Sequence, residues 1–218
     1  MIIFGSMEKQ ITYTASNTYE TLNSLTQKTK NVWLVFHGIG YLSRFFIKKF
    51  SSLNKEENYI ICPQAPAKYY KDANYKQVGA SWLTKENTKI DTENVLNYID
   101  SIIKNENIGD QNLIVLGYSQ GVSIAARWIA KRKKVCDHLL LISGQFPAEL
   151  KKEGFNHLKA LNVIHTVGEK DPLFDPKNVR AQENYVLDFF ENSKIINHDG
   201  GHEISTKIIE KLYEEMNL

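Results

Sequence analysis

Short, almost wholly apolar runs alternate with longer amphipathic segments along this chain, and this alternation constrains its fold more than any other feature. The apolar runs predict six β-strands, at residues 32–36, 59–62, 113–116, 139–142, 163–167 and 194–197. Four of these runs are nearly all apolar, as expected for strands that are covered on both faces. Helical periodicity predicts helices at residues 43–51, 91–104, 122–131, 178–190 and 202–216. Together they predict an α/β fold of βαβ units, with helices around a mostly parallel central sheet.

The remaining segments predict an edge hairpin and one long connection. Residues 10–14 and 19–22 flank Ala15-Ser16-Asn17, which indicates an antiparallel hairpin at the edge of the sheet. Residues 63–88 are interrupted by prolines and glycine and predict a long loop, a type that is often functional. No repeat or linker is visible, so we expect a single domain over residues 1–218. Residues 1–6 are expected to be a tag or an extension, and Met7 is an alternative start.

Composition excludes several classes of protein. The 218 residues are 42% hydrophobic and 24% charged, which is ordinary for a globular chain. The net charge of +2 favours neither nucleic acid nor a membrane surface as a partner. No apolar run approaches the length of a membrane span, and the N-terminus lacks the features of a signal peptide. Cys62 and Cys136 are far apart, without spacing that suggests zinc, and predict a reducing, cytoplasmic location.

The sharpest motif is Gly117-Tyr118-Ser119-Gln120-Gly121, a Gly-x-Ser-x-Gly sequence between a predicted strand and a predicted helix. A serine on such a turn has a strained backbone that lifts its hydroxyl above the sheet, and its neighbours must be small. Gly117 and Gly121 meet that need. Ser119 is therefore predicted to be a nucleophile, the alternative being a serine in an ordinary glycine-rich turn.

A serine nucleophile needs a base, and the base needs an acid that orients it. In hydrolases with this turn the acid and then the histidine follow the serine, each after a strand. Asp171 and His202 occupy these places, and His202 is expected to open the last helix. The alternative acids are Glu169 and Asp175, of which Asp175 precedes a proline and suits a helix cap. His198 is the alternative base, but Gly200-Gly201 gives His202 the backbone freedom to reach a cleft.

Acyl transfer also needs donors for the oxyanion of the intermediate. The backbone N–H of Gln120, directly after the nucleophile, is the first predicted donor. The second is the backbone N–H of Ile39, in the glycine-containing loop after the first predicted parallel strand. His37 precedes the nucleophile, outside the expected order, and is predicted to hold this loop. The other histidines are predicted to be a satisfied core residue (His165) and surface or turn residues (His138 and His157).

With these residues placed, the chain resembles the α/β-hydrolase superfamily and, within it, the phospholipase/carboxylesterase branch that includes acyl-protein thioesterases. The resemblance runs from about residue 33 to the C-terminus. It rests on His37-Gly38-Ile39-Gly40, Cys62-Pro63-Gln64-Ala65-Pro66, Gly117-Tyr118-Ser119-Gln120-Gly121, Gly168-Glu169-Lys170-Asp171-Pro172 and Gly201-His202-Glu203. The resemblance implies an α/β-hydrolase fold and the hydrolysis of carboxylic esters or thioesters through an acyl-enzyme, with neither a cofactor nor a metal.

Two departures from the branch bear on the substrate. Tyr41 stands where the branch usually has an acidic residue, and Ser81-Trp82-Leu83 stands where it has a Trp-aromatic-Asp segment. Trp82 and Tyr118 are predicted to line the acyl pocket, with a plain core role as an equal alternative for Trp82. Only about 18 residues separate Ser143 from the next strand, which is too short for a separate cap domain and implies an open site.

The leading hypothesis is a serine carboxylesterase that acts on a small-molecule acyl ester or thioester. Two alternatives remain. One is a hydrolase-fold receptor that binds a ligand with little turnover. The other is a peptidase or a thioesterase that acts on protein-bound acyl groups, since the same triad serves all of these reactions. The sequence indicates neither the acyl length nor the oligomeric state.

Overall fold

A seven-stranded, mostly parallel sheet forms the centre of the computed structural model, which describes residues 7–158 and 161–218. Its strands are β1 (Tyr19–Leu22), β2 (Asn31–Phe36), β3 (Asn58–Pro63), β6 (Asn112–Tyr118), β7 (His138–Ile142), β8 (Asn162–Thr166) and β9 (Ser193–Ile195). The spatial order is β1-β3-β2-β6-β7-β8-β9, and every pair except β1 with β3 is parallel. Two further strands, β4 (Ala67–Tyr70) and β5 (Val78–Ser81), form a separate antiparallel hairpin.

Helices cover both faces of the sheet, and all six predicted parallel strands are confirmed. The helices are α1 (Ser43–Phe46), α2 (Thr88–Glu106), α3 (Gln120–Arg132), α4 (Pro176–Phe189) and α5 (Thr206–Glu215), with 3₁₀ turns at Ile47–Phe50 and Lys152–Gly154. Helices α2, α3 and α4 contribute to one apolar cluster, and α1 and α5 contribute to the other. The two clusters pack against opposite faces of the sheet. Strands β2, β3 and β7 are therefore buried along their whole length, which explains their nearly continuous apolar sequences.

The predicted N-terminal hairpin is wrong. Residues 10–14 form no strand, and the side chains of Ile11 and Tyr13 are largely exposed. Strand β1 pairs instead with β3, with Tyr19 opposite Pro63. The backbone groups of β1 are therefore satisfied by the central sheet, which leaves residues 10–14 without a strand partner. Residues 1–6, for which a tag or an extension was predicted, lie outside the described residues.

Two other predictions need correction. The 63–88 connection was predicted to be irregular, but it contains the β4–β5 hairpin. The last helix begins at Thr206, so His202 lies in the preceding loop and does not open the helix. The reason is Ser205, whose hydroxyl accepts a hydrogen bond from the N–H of Ile208 and so caps the first turn.

The segment between β7 and β8 carries no separate cap domain in its described part, residues 143–158 and 161. Its only regular element there is the 3₁₀ turn at Lys152–Gly154. Within the described ranges, no helix is both long enough and apolar enough to span a lipid bilayer.

Candidate active site

Ser119 lies at the sharp turn between β6 and α3, as the motif predicted. Its φ of 53° is in the left-handed region, which is strained for a serine. The turn is tightly enclosed: a Cβ added to Gly117 would lie 2.5 Å from the Cα of Val122. A Cβ on Gly121 would lie only 2.1 Å from the carbonyl oxygen of Phe36. Only glycine fits at these two positions, so their presence follows from the backbone packing around the serine.

His202 lies between Ser119 and Asp171. Its Nδ1 is 2.8 Å from the Oδ2 of Asp171, and its Nε2 is 2.9 Å from the Oγ of Ser119. The carboxylate of Asp171 is fully buried, and its second oxygen accepts a hydrogen bond from the N–H of Leu173 at 2.9 Å. Because an ionised carboxylate can only accept, Nδ1 carries the proton and Nε2 is free to accept from the serine hydroxyl. This is the arrangement in which a histidine can remove the serine proton.

The loops that carry the acid and the histidine are joined to each other. The N–H of Glu169 donates to the carbonyl of His198 at 2.9 Å, and the N–H of Lys170 donates to that of Gly200 at 2.8 Å. The side chains of Lys170 and Asp199 form an ion pair across the same junction. These contacts extend the pairing of β8 with β9 beyond the strands. They fix the position of His202 relative to Asp171.

The side chains of the alternative acids, Glu169 and Asp175, and of the alternative base, His198, do not take part in the hydrogen bonds of the His202 ring: among the described residues, the Nδ1 of His202 bonds to Asp171 and not to the side chain of Glu169. Asp175 caps α4, where its side chain accepts a hydrogen bond from the N–H of Lys177 at 2.7 Å. The ring of His198 makes no hydrogen bond to Ser119 or Asp171 in the described part of the chain, and its Nε2 is buried without a partner there. Neither residue forms a hydrogen bond with the serine within the described ranges.

The loop after β2 approaches the serine closely. A Cβ on Gly38 would lie 3.1 Å from the Cβ of Ser119, so Ile39 follows at the edge of the site. Among the described residues, the backbone N–H groups of Ile39 and Gln120 make no hydrogen bond. Gln120 is the first residue of α3, where backbone N–H groups have no partner within the helix. Both groups are therefore available to an acceptor outside the chain.

His37 is buried beneath this loop. Its Nε2 accepts a hydrogen bond from the N–H of Ala65 at 3.2 Å, which leaves Nδ1 to donate to the carbonyl of Gly38 at 2.8 Å. Burial lowers the pKa of His37 to about 4, so the ring is neutral at pH 7. The ring thus joins the loop to the end of β3, in agreement with its predicted role.

Trp82 and Tyr118 support the site from behind. The indole N–H of Trp82 donates to the carbonyl of His37 at 2.7 Å, and the side chain is almost fully buried. The hydroxyl of Tyr118 donates to the carbonyl of His202 at 3.0 Å, and the two rings lie 5.4 Å apart. Their contact with a substrate stays a prediction. The structure shows that each fixes a loop of the site.

Sequence reasoning missed the side chains of two glutamines. The Oε1 of Gln120 accepts from the N–H of Trp82 at 2.8 Å, and its Nε2 donates to the carbonyl of Leu83 at 2.7 Å. The Oε1 of Gln64 accepts from the N–H of Ser43 at 3.0 Å. The available signal was a glutamine at the end of a buried strand, directly after Ser119 in one case and directly after Cys-Pro in the other.

One of the remaining histidine predictions needs correction. His165 is a buried core residue, as predicted, with the backbone of Gly144 beside its ring. Burial lowers the pKa of His165 to about 4. His138 is neither a surface nor a turn residue. It begins β7 and is buried because that strand lies between β6 and β8. His157 does lie in a turn.

The sequence matches the model of the Phospholipase/Carboxylesterase family over residues 17–218. The chain belongs to this family. Family membership supports an esterase-type hydrolase. The cluster of Ser119, His202 and Asp171 therefore lies in a member of an esterase family. None of the curated proteins compared with the chain matches it in sequence.

Solved structures of other proteins show the same α/β-hydrolase fold. Acyl-protein thioesterase 2 from Zea mays is 14% identical, with a TM-score of 0.71 over 93% of this chain and 98% of that one. A carboxylesterase from Bacillus cereus is 16% identical, with a TM-score of 0.68 over 93% and 94%. A phospholipase/carboxylesterase from Dyadobacter fermentans is 18% identical, with a TM-score of 0.64 over 95% and 99%.

Proposed function

We propose that this family member is a serine hydrolase that cleaves small carboxylic esters or thioesters through an acyl-enzyme. The observation that carries the proposal is the position of His202, whose ring nitrogens lie 2.9 Å from the Oγ of Ser119 and 2.8 Å from the Oδ2 of Asp171. A serine hydroxyl is a poor nucleophile at neutral pH unless an adjacent base accepts its proton. This geometry supplies that base and holds it in the required tautomer.

In the first half-reaction the Oγ of Ser119 attacks the acyl carbonyl carbon while the Nε2 of His202 takes the hydroxyl proton. The carbonyl oxygen becomes an oxyanion, which accepts hydrogen bonds from the backbone N–H groups of Ile39 and Gln120. One such donor is worth roughly 10²–10³ in rate. His202 then returns the proton to the departing alcohol or thiol, and the acyl group stays on Ser119.

In the second half-reaction a water molecule takes the place of the leaving group. His202 removes a proton from the water as it attacks the acyl-enzyme, and the same two N–H groups stabilise the second oxyanion. Collapse of this intermediate breaks the bond to Oγ, releases the carboxylic acid and returns the proton to Ser119. Asp171 keeps its charge throughout and stabilises the protonated form of His202.

Membership of the Phospholipase/Carboxylesterase family favours a small-molecule ester as the substrate. Ile39 beside the serine is 54% exposed, and Leu173 beside Asp171 is 69% exposed, so the proposed site has exposed, apolar edges.

Cys62 and Cys136 are free and buried, which is consistent with the proposed cytoplasmic location. The proposed reaction uses neither a cofactor nor a metal.

The proposal is tested by hydrolysis of para-nitrophenyl butyrate and of butyryl-thiocholine by the wild-type protein and by Ser119→Ala. We expect the wild type to hydrolyse at least one of them and Ser119→Ala to lose at least 10³-fold in kcat/KM with an unchanged melting temperature. Ser101→Ala is a matched control, since Ser101 lies on the exposed side of α2. Wild-type activity that survives in Ser119→Ala contradicts the proposal, and ligand binding without turnover favours a receptor.

A further inference from the structure

The β4–β5 hairpin packs directly on the loop that carries Ile39. The N–H of Gly40 donates to the carbonyl of Ala80 in β5 at 2.8 Å. A Cβ on Gly79 would lie 2.8 Å from the Cα of Gly40, so the two backbones touch where both residues lack side chains. The hairpin therefore forms one border of the proposed active site.

Two hydrogen-bond donors of the hairpin lie beside Gly40. The point that a Cβ on Gly40 would occupy lies 3.5 Å from the hydroxyl oxygen of Tyr69 and 3.8 Å from the Nζ of Lys71. The Cδ of Lys71 lies 3.0 Å from the corresponding point on Gly79, so the lysine stem runs along the glycine pair. We name Gly40, Tyr69, Lys71 and Gly79 the hairpin cradle.

The ammonium group in the hairpin cradle has no counter-charge in the described part of the chain, where Lys71 takes part in no ion pair. The nearest acid in sequence, Asp72, is occupied by the backbone of its own turn. Its carboxylate accepts hydrogen bonds from the N–H groups of Asn74, Lys76 and Gln77 at 2.9, 3.3 and 2.7 Å. A positive charge without an ion-pair partner in the described ranges thus lies next to the proposed oxyanion loop.

The hairpin cradle lies on the same loop that approaches Ser119. Gly38 approaches the serine at 3.1 Å, measured to its added Cβ. Gly40 is two residues further on and therefore at most about 7.6 Å from Gly38, because consecutive Cα atoms are about 3.8 Å apart. The hairpin cradle is therefore separated by two residues of this loop from the residue that contacts Ser119.

We propose that the hairpin cradle binds an anionic group of the substrate, so that the preferred substrates are esters or thioesters with a negative charge a few bonds from the scissile carbonyl. This inference rests on the proposed function and adds the substrate class to it. Lys71 supplies the charge, Tyr69 supplies a second donor, and the missing side chain of Gly40 leaves room beside them. Lys71 is thus a specificity-determining residue.

The test compares two ester pairs that differ only in charge. In the first pair, para-butyryloxybenzoate and its neutral methyl ester, the charge lies on the leaving group. In the second pair, monophenyl glutarate and its methyl ester, the charge lies on the acyl group. Wild-type protein and variants are assayed on all four esters at low and at high ionic strength. Selectivity is read from KM and kcat separately.

We expect Lys71→Gln to raise KM for the anionic member of at least one pair by about three- to fivefold, the upper part of the range of an exposed ion pair. KM for its neutral partner and kcat for both stay unchanged, and the difference shrinks at high ionic strength. Tyr69→Phe raises the same KM about twofold. The matched control is Lys68→Gln, which removes the same charge from the hairpin but at a side chain that contacts Asn17.

The outcomes separate this inference from the proposed function. Turnover of the esters with equal effects of Lys71→Gln on charged and neutral members, or with no effect, overturns the hairpin cradle alone. An equal loss of selectivity in Lys68→Gln assigns the effect to overall charge and also overturns it. Failure of the folded wild type to hydrolyse any of the four esters overturns the proposed function and this inference with it.

Discussion

Gly121→Ala tests the close packing of the nucleophile turn against β2. The added Cβ would lie 2.1 Å from the carbonyl oxygen of Phe36 and 2.7 Å from its carbonyl carbon. A carbon–oxygen contact needs about 3.3 Å. The start of α3 must therefore move away from β2 by roughly 1.2 Å, the difference between these two distances. Both partners are backbone atoms of regular elements, so no side-chain rotation relieves the contact.

The expected effect is large on both stability and rate. Overpacking of this kind costs about 3 kcal/mol, at the upper end of the usual range. For a domain of this size each kcal/mol lowers the melting temperature by about 2–4 °C, so a decrease of about 6–12 °C is expected. The shift also moves the N–H of Gln120 relative to Ile39, and a displacement of about 1 Å in such a site costs about 100-fold in rate.

The assay combines thermal unfolding followed by circular dichroism with hydrolysis of a neutral ester. Gly109→Ala is the matched control, because the nearest atom to its added Cβ is the side-chain Oε1 of Gln111 at 3.5 Å. It is expected to melt within about 1 °C of the wild type, since it adds no clash. If Gly121→Ala melts and reacts like Gly109→Ala, the tight approach of α3 to β2 is refuted.

Three further predictions concern buried side chains that carry polar groups. Trp82→Phe removes the indole N–H that binds the carbonyl of His37 and should cost about 2 kcal/mol by denaturant titration; an unchanged unfolding midpoint argues against this bond. Burial lowers the pKa of His37 and of His165 to about 4, below the ordinary 6.5. Between pH 6.5 and pH 4 these two imidazole rings are therefore protonated in the unfolded chain and neutral in the folded one. The stability from each, roughly 3 kcal/mol, is present above pH 6.5 and is lost as the pH falls towards 4. His165→Leu should therefore flatten the dependence of unfolding free energy on pH in that window, and a slope equal to the wild type's contradicts this. Asp171→Asn should lower kcat about 10⁴-fold with little change in KM, because His202 loses the partner that sets its tautomer; a decrease below tenfold in steady-state assays excludes that role for Asp171.

The central sheet was predictable because its strands are buried on both faces. Such strands are apolar along their whole length, which leaves a strong signal even without an alternating pattern. The positions of Ser119, Asp171 and His202 were predictable for a related reason. Each follows a parallel strand at its carboxyl end, and these ends meet at one edge of the sheet. Topology thus brings together residues that are up to 83 positions apart.

The errors arose where pairing or packing between distant segments decided the structure. Strand β1 pairs with β3, about 40 residues later, whereas local turn residues favoured a hairpin with residues 10–14. His138 is polar yet buried, because its place in β7 is set by the strands on either side. The side-chain contacts of Gln120 and the hairpin cradle depend on where residues 63–88 cross the site, which local patterns do not encode.

The central claim, that Ser119 is activated by His202, is tested most directly with a fluorophosphonate probe and mass spectrometry of the intact and digested protein. Only a serine with an adjacent base reacts rapidly with such a probe. We expect one adduct per chain, on Ser119, and its loss in a folded His202→Ala variant. A folded wild-type protein that remains unlabelled, or an adduct on Ser119 that forms equally fast without His202, contradicts the claim.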